Sequence, residues 1–240
     1  MYYAPGKFNL YDDNGEEYRL TVEYDEFSDN PRDNPNFSTI YCWHRSYQIG
    51  DEKPREKSAW DILAELCEKH TKLTESELEN LSERQMVTEL QAADEIVIQY
   101  ISCYEHSGIT ISTATDTYPY NDRWDSAIIG FVYVEKASMA CMLGSWKAEA
   151  LAAIAQEVDL LDKFLQGEVY TATLEKKTHI YKEEKCPHCG GVISTKEWDD
   201  WEEVEFSSGF YGYDLEENGI LSDFCHGMHF KEEVRPAKLA

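Results

Sequence analysis

The stretch from 168 to 206, "EVYTATLEKKTHIYKEEKCPHCGGVISTKEWDDWEEVEF", constrains the fold more than any other. Apolar and polar residues interleave on both sides of a Cys-Pro-His-Cys-Gly-Gly turn. Alternation with a period of two places successive side chains on opposite faces of a strand. A tight turn between two such runs folds them into an antiparallel pair. "KFNLYDDNGEEYRLTVEYD" (7–25) repeats the pattern around Asn14-Gly15, a dipeptide suited to positive φ angles. "FSTIYCWH" (37–44), "EIVIQYISCYE" (95–105), "GITIST" (108–113) and "AIIGFVYVEK" (127–136) also read as strands.

Three segments read as helices. "SAWDILAELCEKH" (58–70) carries Ser58 as N-cap and an apolar stripe of Ile62, Leu63, Leu66 and Cys67. "TESELENLSERQMVTELQ" (74–91) opens with Thr74 and Glu77 as a capping box, and its Glu75, Glu79 and Glu83 stack four apart. "WKAEALAAIAQEVDLLDKFLQG" (146–167) ends at Gly167, where a C-cap belongs. The expected class is α+β: a mainly antiparallel sheet, two or three packed helices and a small zinc-stapled C-terminal hairpin. The expected division is a core domain over 1–180 and an acidic, zinc-stabilised segment over 181–240 packed on it.

The 240 residues hold 47 acids against 22 bases, a net charge of −25, which disfavours direct binding to nucleic acid or anionic membranes and favours basic partners. No secretory signal and no apolar run of membrane-spanning length is visible, so the chain is expected in the cytoplasm. Its seven cysteines then read as thiols or metal ligands.

Cys186 and Cys189 in "KCPHCGG" have the spacing of half a structural zinc site. "FCHGMHF" (224–230) offers the other half as Cys225 and His229, with His226 and His188 as substitutes for the fourth ligand. A redox dithiol is the competing reading of the same motif. Cys42, Cys67, Cys103 and Cys141 sit among apolar residues and read as inert core thiols.

Polar residues cluster in "YCWHRSYQIGD" (41–51), "YEHSGITIS" (104–112) and "YPYNDRWDSAIIGF" (118–131). If the strands bearing them are neighbours, His44, His106 and Asp125 converge near Ser107 or Ser126, as a general base or activated nucleophile requires. Arg45 and Arg123 would supply the positive charge for an anionic substrate. A buried polar network, with the histidines satisfied by turn backbone, is the plainer explanation. In "EWDDWEEVEF", Trp198 and Trp201 interleave with Asp199, Asp200, Glu202, Glu203 and Glu205, a pattern suited to a partner's arginines. An amphipathic strand with inward tryptophans accounts for the same residues.

The strings "NPRDNPNFSTIYCWHRSYQIGD", "YEHSGITIS", "WDSAIIGFVYV", "LDKFLQGEVY" and "GFYGYDLEENGIL" occur in this order over roughly residues 30–222. In them the chain resembles a family of proteins carried by bacteriophages and other mobile elements of bacteria. The resemblance brings no activity with it. It implies a bacterial host cell and a setting in which acidic accessory proteins oppose host defence. It also implies that the cysteine turn elaborates a common hairpin, so that zinc is not a family requirement.

The expected function is therefore inhibition of a defence nuclease, a CRISPR effector or restriction enzyme, by carboxylates that imitate DNA phosphates. Glu75, Glu79 and Glu83, with Trp198, Asp199, Asp200, Trp201, Glu202, Glu203 and Glu205, are the candidate contact surface. The alternatives are an enzyme acting on a nucleotide or small anionic substrate through His44, His106 and Asp125, and a non-catalytic adaptor that docks its zinc hairpin on another protein.

Overall fold

The computed structural model describes residues 2–51, 57–106, 108–114, 125–139 and 145–231. In chain order the elements are β1 (Gly6–Asp12), β2 (Glu17–Tyr24), β3 (Thr39–Cys42), α1 (Ala59–His70), α2 (Glu75–Leu78), α3 (Glu83–Ala92), β4 (Ile96–Glu105), β5 (Ile109–Ala114), β6 (Ser126–Glu135), α4 (Trp146–Leu165), β7 (Val169–Lys185), β8 (Val192–Tyr211), α5 (Ile220–Phe224) and β9 (Met228–Phe230). The protein is α+β, with two sheets whose strand pairs are all antiparallel.

The chain forms two compact units, residues 1–28 with 167–240 and residues 29–166. Residue 180, where the sequence divides the chain by composition, lies inside β7. No described helix is long and apolar enough to cross a membrane.

The first unit carries the sheet β8-β7-β2-β1-β9. Its inner face buries Leu10, Leu20, Val22, Ala172 and Leu174 against Leu215, Ile220 and Phe224. The β1–β2 turn forms as its residues dictate: Gly15 has φ +82°, and the Asp12 carboxylate accepts the backbone N–H groups of Asn14 and Glu16, both at 2.9 Å. β2 pairs with β7 as far as Tyr18–Lys176, while β7 and β8 stay paired out to Lys185–Val192. The outer half of that hairpin therefore continues as a two-stranded ribbon.

The second unit carries the sheet β3-β6-β4-β5, with helices on both faces. α4 buries Ala150, Ile154, Val158 and Leu161 against one face, which includes Val97, Ile101, Val132 and Val134. α1 and α3 bury Leu63, Cys67, Met86 and Leu90 against the other, which includes Ile96, Ile98 and Phe131. Burial on both sides explains why β4 begins as an almost continuous apolar run.

α1 starts with a complete capping box between Ser58 and Asp61. The single helix expected over 74–91 is two. Thr74 caps α2, the chain turns at Glu79–Leu81, and Ser82 with Gln85 forms a second box that starts α3. Two capping signals eight residues apart compete with a sparse apolar stripe, and each nucleates its own helix. Glu75, Glu79 and Glu83 consequently lie on α2, its C-cap and the start of α3, so the four-residue column on one helix does not form.

Candidate functional site

The second unit contains a pocket of about 1090 Å³ whose wall includes residues of α1, α3, β4, β6 and the segment after β3. Its geometry starts at an irregularity in the sheet. β4 pairs Ile101 with Gly130 but Ser102 with Ile128, leaving Ile129 as a bulge in β6. The freed Ile129 carbonyl accepts the Trp43 N–H at 2.7 Å, which carries the chain past the end of β3 along the pocket. Gly130 permits this approach: a Cβ there would sit 1.9 Å from the Tyr41 carbonyl oxygen. Bulges are a recurrent means of re-aiming a strand beside a site.

Trp43, Tyr100 and Phe131 give the pocket aromatic surface, the rings of Trp43 and Phe131 being 5.6 Å apart. His44, Arg45, Arg84, Glu83, Glu105, Asp125 and Ser126 supply its polar groups. The buried Trp43 Nε1 and Ser126 Oγ have no hydrogen-bond partner among the described residues. An unpaired buried donor of this kind carries a desolvation cost that a ligand's acceptor would relieve.

Sequence spacing alone could not show that His44, His106 and Asp125 belong to one neighbourhood, but the structure places them there. The His44 side chain is buried, and its Nδ1 accepts the backbone N–H groups of Ser46 (3.2 Å) and Tyr47 (3.0 Å). Two donors on Nδ1 put the proton of the neutral ring on Nε2, which lies 3.7 Å from Glu105 Oε2. His44 therefore presents Nε2 toward Glu105. Arg45 donates to the same Glu105 oxygen at 3.2 Å. The Glu105 N–H in turn donates to the Asp125 carbonyl at 2.9 Å, and Asp125 Oδ2 is 3.3 Å from Nδ1 of the exposed His106. His106 and Asp125 thus form a histidine–carboxylate pair of which Asp125 lines the pocket. Ser107 and Arg123 lie outside the described residues, as does Cys141. Arg84 was missed in the sequence because its local pattern is that of an exposed helix end; packing of α3 brings it to the pocket wall.

The expected core thiols within the described residues are buried. Burial pushes Cys42 up to about 12, and Cys67 and Cys103 up to about 11. Cys103 lines the pocket, where burial disfavours its thiolate.

The four residues expected to share zinc do not converge. Among the described residues, no group of three or more histidines, cysteines or acids is placed to hold a metal ion. His229 pairs with Tyr11, which pairs with Glu17, one residue from the Tyr18–Lys176 rung. From that level to Cys186, β7 runs about 30 Å further at 3.3 Å per residue. His229 Nε2 instead lies 2.9 Å from Asp13 Oδ1. Cys225 is buried, and burial pushes its thiol up to about 11. Cys186 and Cys189 occupy the turn at the hairpin tip, where N–H groups of His188 and then Cys189 bond to the Cys186 sulfur and hold its pKa down. His188 and His226 are both exposed.

The acidic run of β8 divides by strand alternation. Asp199, Trp201 and Glu203 share a face with His179, Lys177 and Glu175 of β7; Trp198, Asp200 and Glu202 share the other with Ile180, Thr178 and Lys176. A bulge between the Leu174 and Glu175 rungs then places Glu205 opposite Leu174. Asp199 is 2.9 Å from His179 and 3.2 Å from Lys177, and His179 also approaches Glu197 at 3.9 Å. The arginine partner expected for the tryptophans is internal for Trp201. Arg19 lies 4.5 Å from its ring centroid and makes a two-pronged salt bridge with Glu175 at 2.7 and 2.8 Å. Trp198 is 41% exposed.

Compared with family models, curated proteins and solved structures, the chain matches none.

Proposed function

We propose that the 29–166 unit binds a small planar ligand with a polar, anionic end, of the nucleobase or nucleotide class, in the Trp43–Arg84 pocket. The observation that carries this is the pairing of an aromatic surface with Arg45, Arg84, the Nε2–H of His44 and the unpartnered Trp43 Nε1 around one cavity. Pockets of a few hundred to about 1,000 Å³ with few convergent polar groups are the usual places for small ligands. Aromatic rings accept a base by stacking, the donors meet its acceptors or a phosphate, and Glu105 meets a base's amino group. The His106–Asp125 pair supplies a proton-transfer group if the ligand is a substrate.

Titration of the purified chain with purine and pyrimidine nucleoside monophosphates, read by calorimetry and tryptophan fluorescence, tests the reading. Binding by at least one of them, weakened about tenfold or more by Arg84→Ala and by Trp43→Phe, is expected. Absence of binding by every monophosphate, or binding indifferent to both variants, refutes it. If a bound nucleotide is turned over, His106→Ala should lower the rate without loosening binding.

A second reading, inhibition of a defence nuclease by imitation of a polyanion, is favoured by the net charge of −25 and by the exposed Asp200, Glu202 and Glu205. On this reading the contact surface is one face of the β7–β8 hairpin rather than the whole acidic run. Glu202→Lys with Glu205→Lys should then abolish inhibition, and the inhibition should weaken steeply with added salt.

A further inference from the structure

The geometry points to a zinc site shared between two copies of this chain, each contributing Cys186 and Cys189 from the tip of its β7–β8 ribbon. The turn is already shaped for this: Cys186 donates its N–H to the Gly191 carbonyl (2.7 Å), and Gly190 donates to the Cys186 carbonyl (2.8 Å). Gly190, at φ +72°, allows the reversal. Both residues remain accessible, Cys186 half-buried and Cys189 exposed.

A structural zinc ion takes four ligands at about 2.0–2.3 Å. The other Cys/His pair of the unit, Cys225 and His229, stands far back along the sheet, and His229 is engaged with Asp13. The ribbon carries the cysteine pair outward, away from that pair. A second copy supplies two identical thiolates, and a two-fold axis through the ion turns two pairs into a tetrahedral four-sulfur set.

The surroundings of the tip fit a second copy. Across 182–196 Lys182, Lys185 and Lys196 stand against Glu183 and Glu184, so this end is close to neutral in a chain of net −25. Two tips approach with little repulsion, and the lysines offset the double negative charge of a zinc–tetrathiolate. Val192 (53% exposed) and Ile193 (61%) adjoin the turn as apolar surface that a facing tip would cover. Binding takes one Zn²⁺ and four thiols to one tetrathiolate, releasing four protons to solvent.

The full chain, purified under reducing conditions with zinc present, should contain about one zinc per two chains and run at twice the chain mass in size-exclusion with light scattering. A chelator should remove the zinc and halve the mass together. Cys189→Ser should do the same while leaving the far-ultraviolet dichroism unchanged, because the turn is exposed. His229→Ala should keep both zinc and dimer. One zinc per chain on a monomer, zinc retained by Cys189→Ser, or a zinc-free chain after incubation with the metal would each overturn the inference.

Discussion

Replacing Arg32 with methionine isolates one buried ion network and asks what it contributes. The Arg32 side chain is 2% exposed. Its guanidinium donates to both Asp51 oxygens (2.6 and 2.7 Å), to Glu157 Oε2 (3.0 Å) and to the Ser38 carbonyl (2.7 Å). Methionine keeps most of the apolar stem and leaves two carboxylates without their cation. Removing one partner of a buried pair costs about 3–5 kcal/mol, because the remaining charge is uncompensated. Here the carboxylates keep other donors: Ile40 N–H on Asp51 at 2.8 Å, and Phe37 and Ser38 N–H on Glu157 at 2.8 and 3.1 Å. The expected loss is therefore at the low end, about 3 kcal/mol, a large part of the roughly 5–15 kcal/mol that stabilises a typical domain. Urea unfolding at neutral pH should show a lower midpoint with an unchanged slope. Arg32→Met combined with Asp51→Asn should cost less than the sum of the two changes, since they share a partner. A loss below about 1 kcal/mol, or strict additivity, would show that the cluster is merely tolerated. The segment this network holds, from Ser38 through β3, leads into Trp43, His44 and Arg45, so the same variant should also weaken ligand binding in the pocket.

The remaining predictions concern other elements. Hydrogen bonds from Arg19 outweigh burial at Glu175 and hold its carboxyl below the usual range. Its stabilising contribution is therefore complete above the unfolded carboxylate pKa and is lost as pH falls through the depressed folded value. Glu175→Gln should accordingly lower the melting temperature at neutral pH, with the deficit shrinking in acid; a pH-independent deficit would contradict the assignment. Gly130→Ala should cost about 3 kcal/mol or block folding, measured by thermal melting, because its Cβ meets backbone rather than a yielding side chain. Alkylation of the folded chain at neutral pH, after a chelator has removed any zinc, should label Cys186 or Cys189 by mass spectrometry and leave Cys42, Cys67 and Cys103 unmodified until denaturant is added.

Signals that act within a few residues were legible in the chain. Ser58 with Asp61, Asp12 with Asn14-Gly15, and Gly167 at φ +74° each form the cap or turn that their side chains dictate, because every atom involved lies within one turn of backbone. The period-two pattern announced the antiparallel ribbon, and that same alternation divides the acidic run between two faces. Charge density along the chain suggests one contact surface; the pleat assigns neighbouring carboxylates to opposite faces. The break between α2 and α3 is also written locally, in the Ser82–Gln85 box, within a segment whose helical pattern runs on across it.

What tertiary structure alone decided is everything that joins distant residues. Strand order set His229 far from the cysteine turn, since register fixes distance along a sheet regardless of how well the residue types match a metal's preference. Packing of α3 against β4 brought Arg84 to the wall of the pocket that Arg45 also lines, and one extra residue in β6 opened the carbonyl that positions Trp43. Arg19 reached Trp201 across β7, answering from inside the molecule the charge pattern that suggested an external arginine. Residue type declares what a side chain is able to bind. Which partner it finds depends on backbone pairing and core packing, which sum contributions over the whole chain and leave no trace at any single position.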